Sequence, residues 1–162
     1  MAFQPIGFTG RTVRAKDHGA AFASLMGDGR VDGCAVSYAS NTVTLSSGWI
    51  VACGRLIYNN AGITESITAS SGYVQLVLVV DATNTGAVSI VQRTASSANG
   101  FPALSQGDIN GSATTYEMEL CVVDVTGNAL VRTMQPAARP IFVTTAAPTS
   151  SSPDGIYLVT EA

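Results

Sequence analysis

Lysine is almost missing from this 162-residue chain: Lys16 is the only one, beside seven arginines. Arg11, Arg14 and Lys16 are the nearest approach to a basic cluster, and the net charge is −3. Sequence-independent nucleic-acid binding rests on clustered Lys and Arg, so that class of partner is not expected. Histidine is equally scarce. His18 stands alone, so a Ser-His-Asp or Cys-His pair would have to use it, and beside Asp17 at a helix start it reads as an ordinary exposed residue. Three cysteines, Cys34, Cys53 and Cys121, show no C-x-x-C spacing and cannot complete a zinc set with one His. They read as reduced, mostly buried small apolar residues, and neither a metal nor a cofactor is expected. No apolar run approaches the roughly 20 residues of a membrane span. Met1-Ala-Phe-Gln-Pro-Ile6 lacks the basic start and apolar block of a signal peptide. The expectation is a protein that stays soluble in the compartment where it is made.

Charged residues as a whole make up only 12%, about half the usual share, while apolar residues make up 46%. Gly, Ser, Thr and Asn fill the difference. A sheet protein with hydroxyl-rich turns has this composition, and so does one partly covered by copies of itself. Low surface charge gives little protection against association, which points to self-association as functional.

Two nine-residue runs stand out: Tyr73-Val-Gln-Leu-Val-Leu-Val-Val-Asp81 and Tyr116-Glu-Met-Glu-Leu-Cys-Val-Val-Asp124. The second alternates, with Tyr116, Met118, Leu120 and Val122 on one face and Glu117 and Glu119 on the other, which is the period of a half-buried strand. The first places Val74, Leu76, Leu78 and Val80 on one face and Val77 and Val79 on the other. It reads as a central strand covered on both sides. Together they predict the core of one sheet.

Around them the chain reads as short strands separated by turn signals. These strands are Val31–Tyr38, Thr42–Ser46, Trp49–Tyr58, Ile63–Ala69, Ala87–Thr94 and Ala129–Thr133. Asn84-Thr85-Gly86 marks a tight return. Ser96–Gly111 is a long connection, with Phe101, Leu104 and Ile109 expected to pin it to the body. One helix is predicted, from an Asp17 N-cap through Ala21, Phe22, Leu25 and Met26 to a stop at Gly27. The fold class expected is mainly β: a single antiparallel β-sandwich or barrel-like domain over residues 15–133, with that one short N-terminal helix. An N-terminal arm (1–14) and a C-terminal arm (134–162) extend from it. Pro136, Pro140, Pro148 and Pro153 punctuate the C-terminal arm, which is expected to end in a short strand.

Sites with chemistry are few. Glu117 and Glu119 project from one strand face and read as a solvated pair rather than carboxylates flanking a glycosidic bond. Asp28-Gly-Arg-Val-Asp-Gly33 lacks the calcium-loop ligands where Arg30 and Ala39 stand, so it reads as a turn. Asp81 and Asp124 read as turn starters. Asn110-Gly-Ser112 matches a glycosylation sequon, read as coincidence without a secretory signal. Trp49 and the tyrosines could stack on sugars, although single aromatics in sheets are usually core. No catalytic residues are assigned and no enzymatic activity is expected. The candidate assembly contacts are apolar residues of the two arms: Phe3, Ile6 and Phe8, then Ile141, Phe142 and Val143, then Ile156, Tyr157 and Leu158.

The order of five blocks carries a resemblance. Asp17–Gly29 leads to Asn41-Thr-Val-Thr-Leu-Ser-Ser-Gly-Trp-Ile-Val-Ala-Cys-Gly-Arg-Leu-Ile57. Then come Gly72–Asp81, Phe101-Pro-Ala-Leu-Ser-Gln-Gly-Asp-Ile-Asn-Gly111 and Tyr116–Val123. In this order, over residues 7–133, they resemble tail-associated structural proteins of tailed bacteriophages and prophages. Ala147–Leu158 is similar to the short tail of phage fibre and head-fibre proteins. The resemblance implies a virion component made in the host cytoplasm, usually a homotrimer. Such a protein is an adaptor or fibre base at the tail tip or baseplate, contacting other virion structural proteins. A capsid decoration or head-fibre protein is the first alternative, and a module binding a host surface glycan the second. No sequence follows that would make a receptor-binding tip, which favours the structural role.

Overall fold

A computed structural model of the chain describes residues 26–83 and 87–137, together with the course of two short strands at 141–144 and 156–159. The predicted helix from Asp17, the N-terminal Phe3, Ile6 and Phe8, and the Asn84–Gly86 return lie outside the described residues.

The described chain is mainly β, arranged as a two-layer sandwich with no helix among its described residues. Strands β1 (Gly29–Gly33), β2 (Val36–Ala39), β3 (Thr42–Leu45), β4 (Gly48–Ala52), β5 (Arg55–Asn59) and β6 (Ile63–Ser66) form the first layer. They group as β1-β4-β5 and β2-β3-β6. These are the two halves of one antiparallel meander. Its first leg is β1 plus β2, its second β3 plus β4 and its third β5 plus β6, and every leg is interrupted between its two strands.

The interruption has a backbone cause. Gly33 and Cys34 take positive φ angles of 61° and 48°, and Gly48 across from them takes 151°. A Cβ on Gly33 would stand 2.2 Å from the Ser47 carbonyl oxygen, and one on Gly48 2.2 Å from that of Asp32. The two legs therefore cross too closely for side chains, and glycine is required on both. The backbone N–H of Cys34 donates to Ser47 O, and that of Ser46 to Ala35 O, each at 3.0 Å, so pairing resumes beyond the kink. The predicted strand Val31–Tyr38 is thus two strands. Trp49–Tyr58 is a hairpin rather than one strand. Ala52 pairs with Arg55 around a two-residue loop of Cys53 (φ 47°) and Gly54 (φ 70°). Ser40 (φ 50°) and Asn41 (φ 56°) close the other hairpin in the same way, both with the left-handed pair of a type I′ turn.

The second layer is one antiparallel sheet of order β10-β9-β7-β8, from β7 (Tyr73–Asp81), β8 (Ala87–Ala95), β9 (Thr115–Asp124) and β10 (Ala129–Thr133). The two runs singled out in the sequence are β7 and β9. They lie side by side, with β7 central. Val74, Leu76, Leu78 and Val80 of β7 face the meander and meet Val43, Leu45, Ile50 and Ile67 in one buried cluster. Each such side chain contributes roughly 1.5–3 kcal/mol by leaving water. On the other face Val77 is fully buried and Gln75 nearly so, so the strand is covered on both sides.

The alternation expected of β9 holds only as far as Leu120. Leu76 pairs with Cys121 and Val77 with Glu119, leaving Leu120 as an extra residue, a β-bulge. Leu120 and Cys121 both enter the core, and the phase then reverses. Cys121, Val123 and Val125 point inward, while Val122 shares the outer face with Gln75, its register partner.

In the C-terminal arm two strands occur where one was expected, β11 (Ile141–Thr144) and β12 (Ile156–Val159). They pair in parallel, Ile141 with Ile156 through Thr144 with Val159. Just before them the Arg30 N–H donates to Gln135 O and the Ala137 N–H to Arg30 O, so the chain leaves along the outer edge of β1.

Candidate functional site

Side chains with chemistry converge where the long connection 96–114 meets the β4–β5 hairpin. Asp28, just before β1, accepts the Cys53 N–H at 2.8 Å on one carboxylate oxygen and the Tyr116 hydroxyl on the other. Asn110 accepts Arg55 Nε at 2.9 Å, and its amide nitrogen donates to the Cys53 carbonyl at 2.9 Å. Its own N–H donates to Asp108 Oδ1 at 2.9 Å. Ile109 between them is buried in the core and pins the connection there, while Phe101 and Leu104 are half-buried and stand outside that cluster. The polar half of the pin was not expected, because Asp28, Cys53 and Asn110 are far apart in sequence. The only hint was the shared Gly-flanked, Asp/Asn-rich character of both turns.

This cluster fastens a loop rather than activating a nucleophile. Burial raises the Cys53 thiol above its ordinary value and the Asp108 and Asp28 carboxylates add to the effect, outweighing the Ile109 backbone contact. Burial, and then the hydrogen bond to Asp28, push the Tyr116 phenol far up as well. A catalytic thiolate or phenolate requires the opposite shift. The sequon residue Asn110 is committed to these contacts, and Asp28 of the calcium-like turn serves Tyr116 and Cys53. The turn reading also fits Asp32, whose Oδ1 accepts the Gly33 N–H at 2.9 Å.

Glu117 and Glu119 sit on the outer face of β9 but are not a solvated pair. Glu117 accepts Arg93 at 2.6 Å and the Ser105 N–H at 2.9 Å. Glu119 takes Arg132 through two bonds, at 2.6 and 2.9 Å, and Gln75 Nε2 at 2.6 Å. Arg132 also donates to Ala98 O at 2.7 Å, so the start of the long connection is tied across the sheet. The Ser105 N–H and the Arg93 guanidinium hold Glu117 below the usual carboxylate range. Burial alone would raise Glu119, but the hydrogen bonds from Arg132 and Gln75 outweigh it and bring it below that range too. Each carboxylate is already neutralised by an arginine, which leaves neither as the proton donor of an acid–base pair.

Asp81 accepts the Thr83 N–H at 2.8 Å, and Asp124 the Gly127 N–H at 2.8 Å, so both start turns as read from the sequence. Cys34 and Cys121 are fully buried and Cys53 half-buried, all three as free thiols. Among the described residues, no three His, Cys, Asp or Glu side chains lie close enough to hold a metal ion, and no helix is long and apolar enough to cross a membrane.

Trp49 departs from the expectation of a core aromatic. It lies on the outward face of the meander, 38% exposed, stacked on Tyr58 with ring centroids 4.3 Å apart and planes 24° from parallel. Leu56, two residues along the same strand face as Tyr58, is half-exposed. The opposite side of the sandwich edge is open as well. Between the edge strands β5 and β6 of one layer and β8 of the other runs a groove in two parts that share Ile57 and Val88, about 470 and 310 Å³. Ile57, Ile63, Leu78, Val88 and Ile90 form its walls. Gln92 Nε2, donating to Ser66 O at 2.9 Å, ties the layers together at one end.

Of the candidate assembly contacts, Ile141–Val143 and Ile156–Leu158 are brought together as paired strands, whereas Phe3, Ile6 and Phe8 lie outside the described residues. No protein-family model matches the chain, and no curated protein matches it in sequence.

Proposed function

We propose that this chain is a non-enzymatic structural protein of a tailed-phage virion, working by oligomeric assembly, as a homotrimer, at the tail tip or baseplate as an adaptor or fibre base. The observation that carries the reading is the open β8 edge. Nine residues, Ala87–Ala95, pair with β7 in unbroken register on one side and with no other strand among the described residues on the other. The strand has no proline, lysine or bulge, and its one charge, Arg93, is held by Glu117. Edge strands of solitary proteins carry such devices against pairing with other chains, so an unguarded edge of this length fits a surface meant to be covered. Exposed Leu56, Tyr58, Val88 and Val91 on a sparsely charged chain point the same way. The block order that resembles phage tail-associated proteins supplies the setting.

The test is localisation. A chain bearing a small epitope is labelled with gold-conjugated antibody on purified particles of the phage that encodes it. Label at the tail tip is the expected result. Label on the head favours the capsid decoration or head-fibre alternative, and particles without label remove the virion role. A second reading, a module binding host surface glycan, is favoured by the Trp49–Tyr58 stack, because exposed aromatic faces are what sugar rings pack on. Glycan-array binding lost in Trp49→Ala would support it, and an array without hits would remove it.

A further inference from the structure

We infer that the groove beside β8 receives the C-terminal ribbon β11–β12 of a second copy of this chain, so that copies join head to tail. The inference rests on the oligomeric reading above and names its contact. Two features of one molecule are each incomplete. The groove has Ile57, Ile63, Val88 and Ile90 on its walls, with Glu65, Asn59 and Asn60 beside them, and, on β8, a row of backbone groups that meet no other strand among the described residues. The ribbon is a two-stranded parallel sheet, paired to no other strand among the described residues, with the uncharged sequences Ile-Phe-Val-Thr and Ile-Tyr-Leu-Val. Two strands alone are marginal in water, and parallel pairs are normally covered on their faces. Adding the ribbon to β8 extends the four-stranded sheet and covers Val88 and Ile90.

Chain length decides which copy supplies it. Ala137 is hydrogen-bonded along the outer edge of β1, while the groove lies beyond β5, the opposite edge of the same meander half. From a strand outside β1 to a strand outside β5 is four strand spacings, about 19 Å in a straight line through the sheet. Only residues 138–140 separate Ala137 from β11, and four extended Cα steps reach about 14 Å. A chain therefore cannot lay its own β11 in its own groove, but it can lay it in a neighbour's. Ribbon and groove are different surfaces, so the contact is heterologous and closes into a ring when the rotation permits, three copies giving the trimer.

Two full-length variants test this by size-exclusion chromatography with light scattering. Val88→Lys places a charge in the groove at a residue already 41% exposed, and Val143→Asp places one in the ribbon. Expected is a wild-type trimer, with each variant alone falling threefold to the monomer mass and keeping its far-ultraviolet spectrum. An equimolar mixture should regain a dimer only, because one intact ribbon meets one intact groove. Variants that keep the wild-type mass, or a mixture that stays monomeric, overturn the contact while leaving the oligomeric reading standing. A monomeric wild type removes that reading and the contact with it. Should either variant misfold, amide exchange in the wild type decides. Slow exchange at the Val88–Gln92 N–H groups that point away from β7 supports the contact, and exchange of those groups at the rate of an open edge overturns it.

Discussion

The two layers of the sandwich hold together in different ways. The β10-β9-β7-β8 sheet is built from side chains: long apolar strands, a core face meeting the meander, and an outer face locked by the Arg93–Glu117 and Arg132–Glu119 pairs. The meander is built from backbone geometry. Its legs are four or five residues on either side of a kink, and left-handed residues at both hairpins and at the crossing set its shape. The difference teaches where each layer is vulnerable: one to lost volume and charge, the other to an added Cβ.

The largest effect should come from emptying the sheet. Leu76, 1% exposed at the centre of the cluster, should lose about 2–5 kcal/mol on substitution by Ala, read from urea unfolding with an unchanged slope. A loss under about 1 kcal/mol would mean that β7 is not the centre of the core. The matching change in the meander adds one carbon. Gly48→Ala should cost at least about 1–3 kcal/mol from strain at φ 151°, and the clash of its Cβ with the Asp32 carbonyl oxygen forces the crossing backbone to shift as well. A neutral result would erase the contrast between the layers.

Acid should act on the outer face of the sheet. Glu117 and Glu119 have folded values below the ordinary carboxylate range, so their contribution is complete above about pH 4.3 and is lost as pH falls through those lower values. Both pairs are partly solvated, which limits each to about 1 kcal/mol. Glu119→Gln should therefore lower the melting temperature by a few degrees at pH 7 and converge on the wild type near pH 2. A constant difference across that range would contradict the ion-pair account. The smallest effect concerns thiol access. With a disulfide reagent at pH 8, Cys53 should react on the native protein, slowly because its thiol is raised. Cys34, and Cys121 whose thiol burial pushes up to about 12, should react only on unfolding.

The same contrast decided what the sequence revealed. β7 and β9 were legible because alternation over nine residues reports two faces at once. The central place of β7 followed from the apolar residues on both faces of the first run, whereas its pairing with β9 was not encoded in either run. Within β9 the bulge at Leu120 stayed hidden, since Leu-Cys-Val-Val is apolar in either phase and Val122 fits either face. The meander was misread at Cys34 and at Cys53-Gly54 because a kink set by positive φ leaves only a glycine beside an unremarkable cysteine. Of the candidate site, the turn roles of Asp81 and Asp124 were visible locally. The Asp28–Tyr116 contact joins residues 88 apart, and no local pattern encodes it.

The most direct measurement of the central claim, that this chain works by joining copies of itself, is the mass of the untagged full-length protein by light scattering over a hundredfold range of concentration. Expected is a particle three times the 16.6 kDa of one chain that persists on dilution into the micromolar range. A mass of 16.6 kDa at every concentration would contradict it.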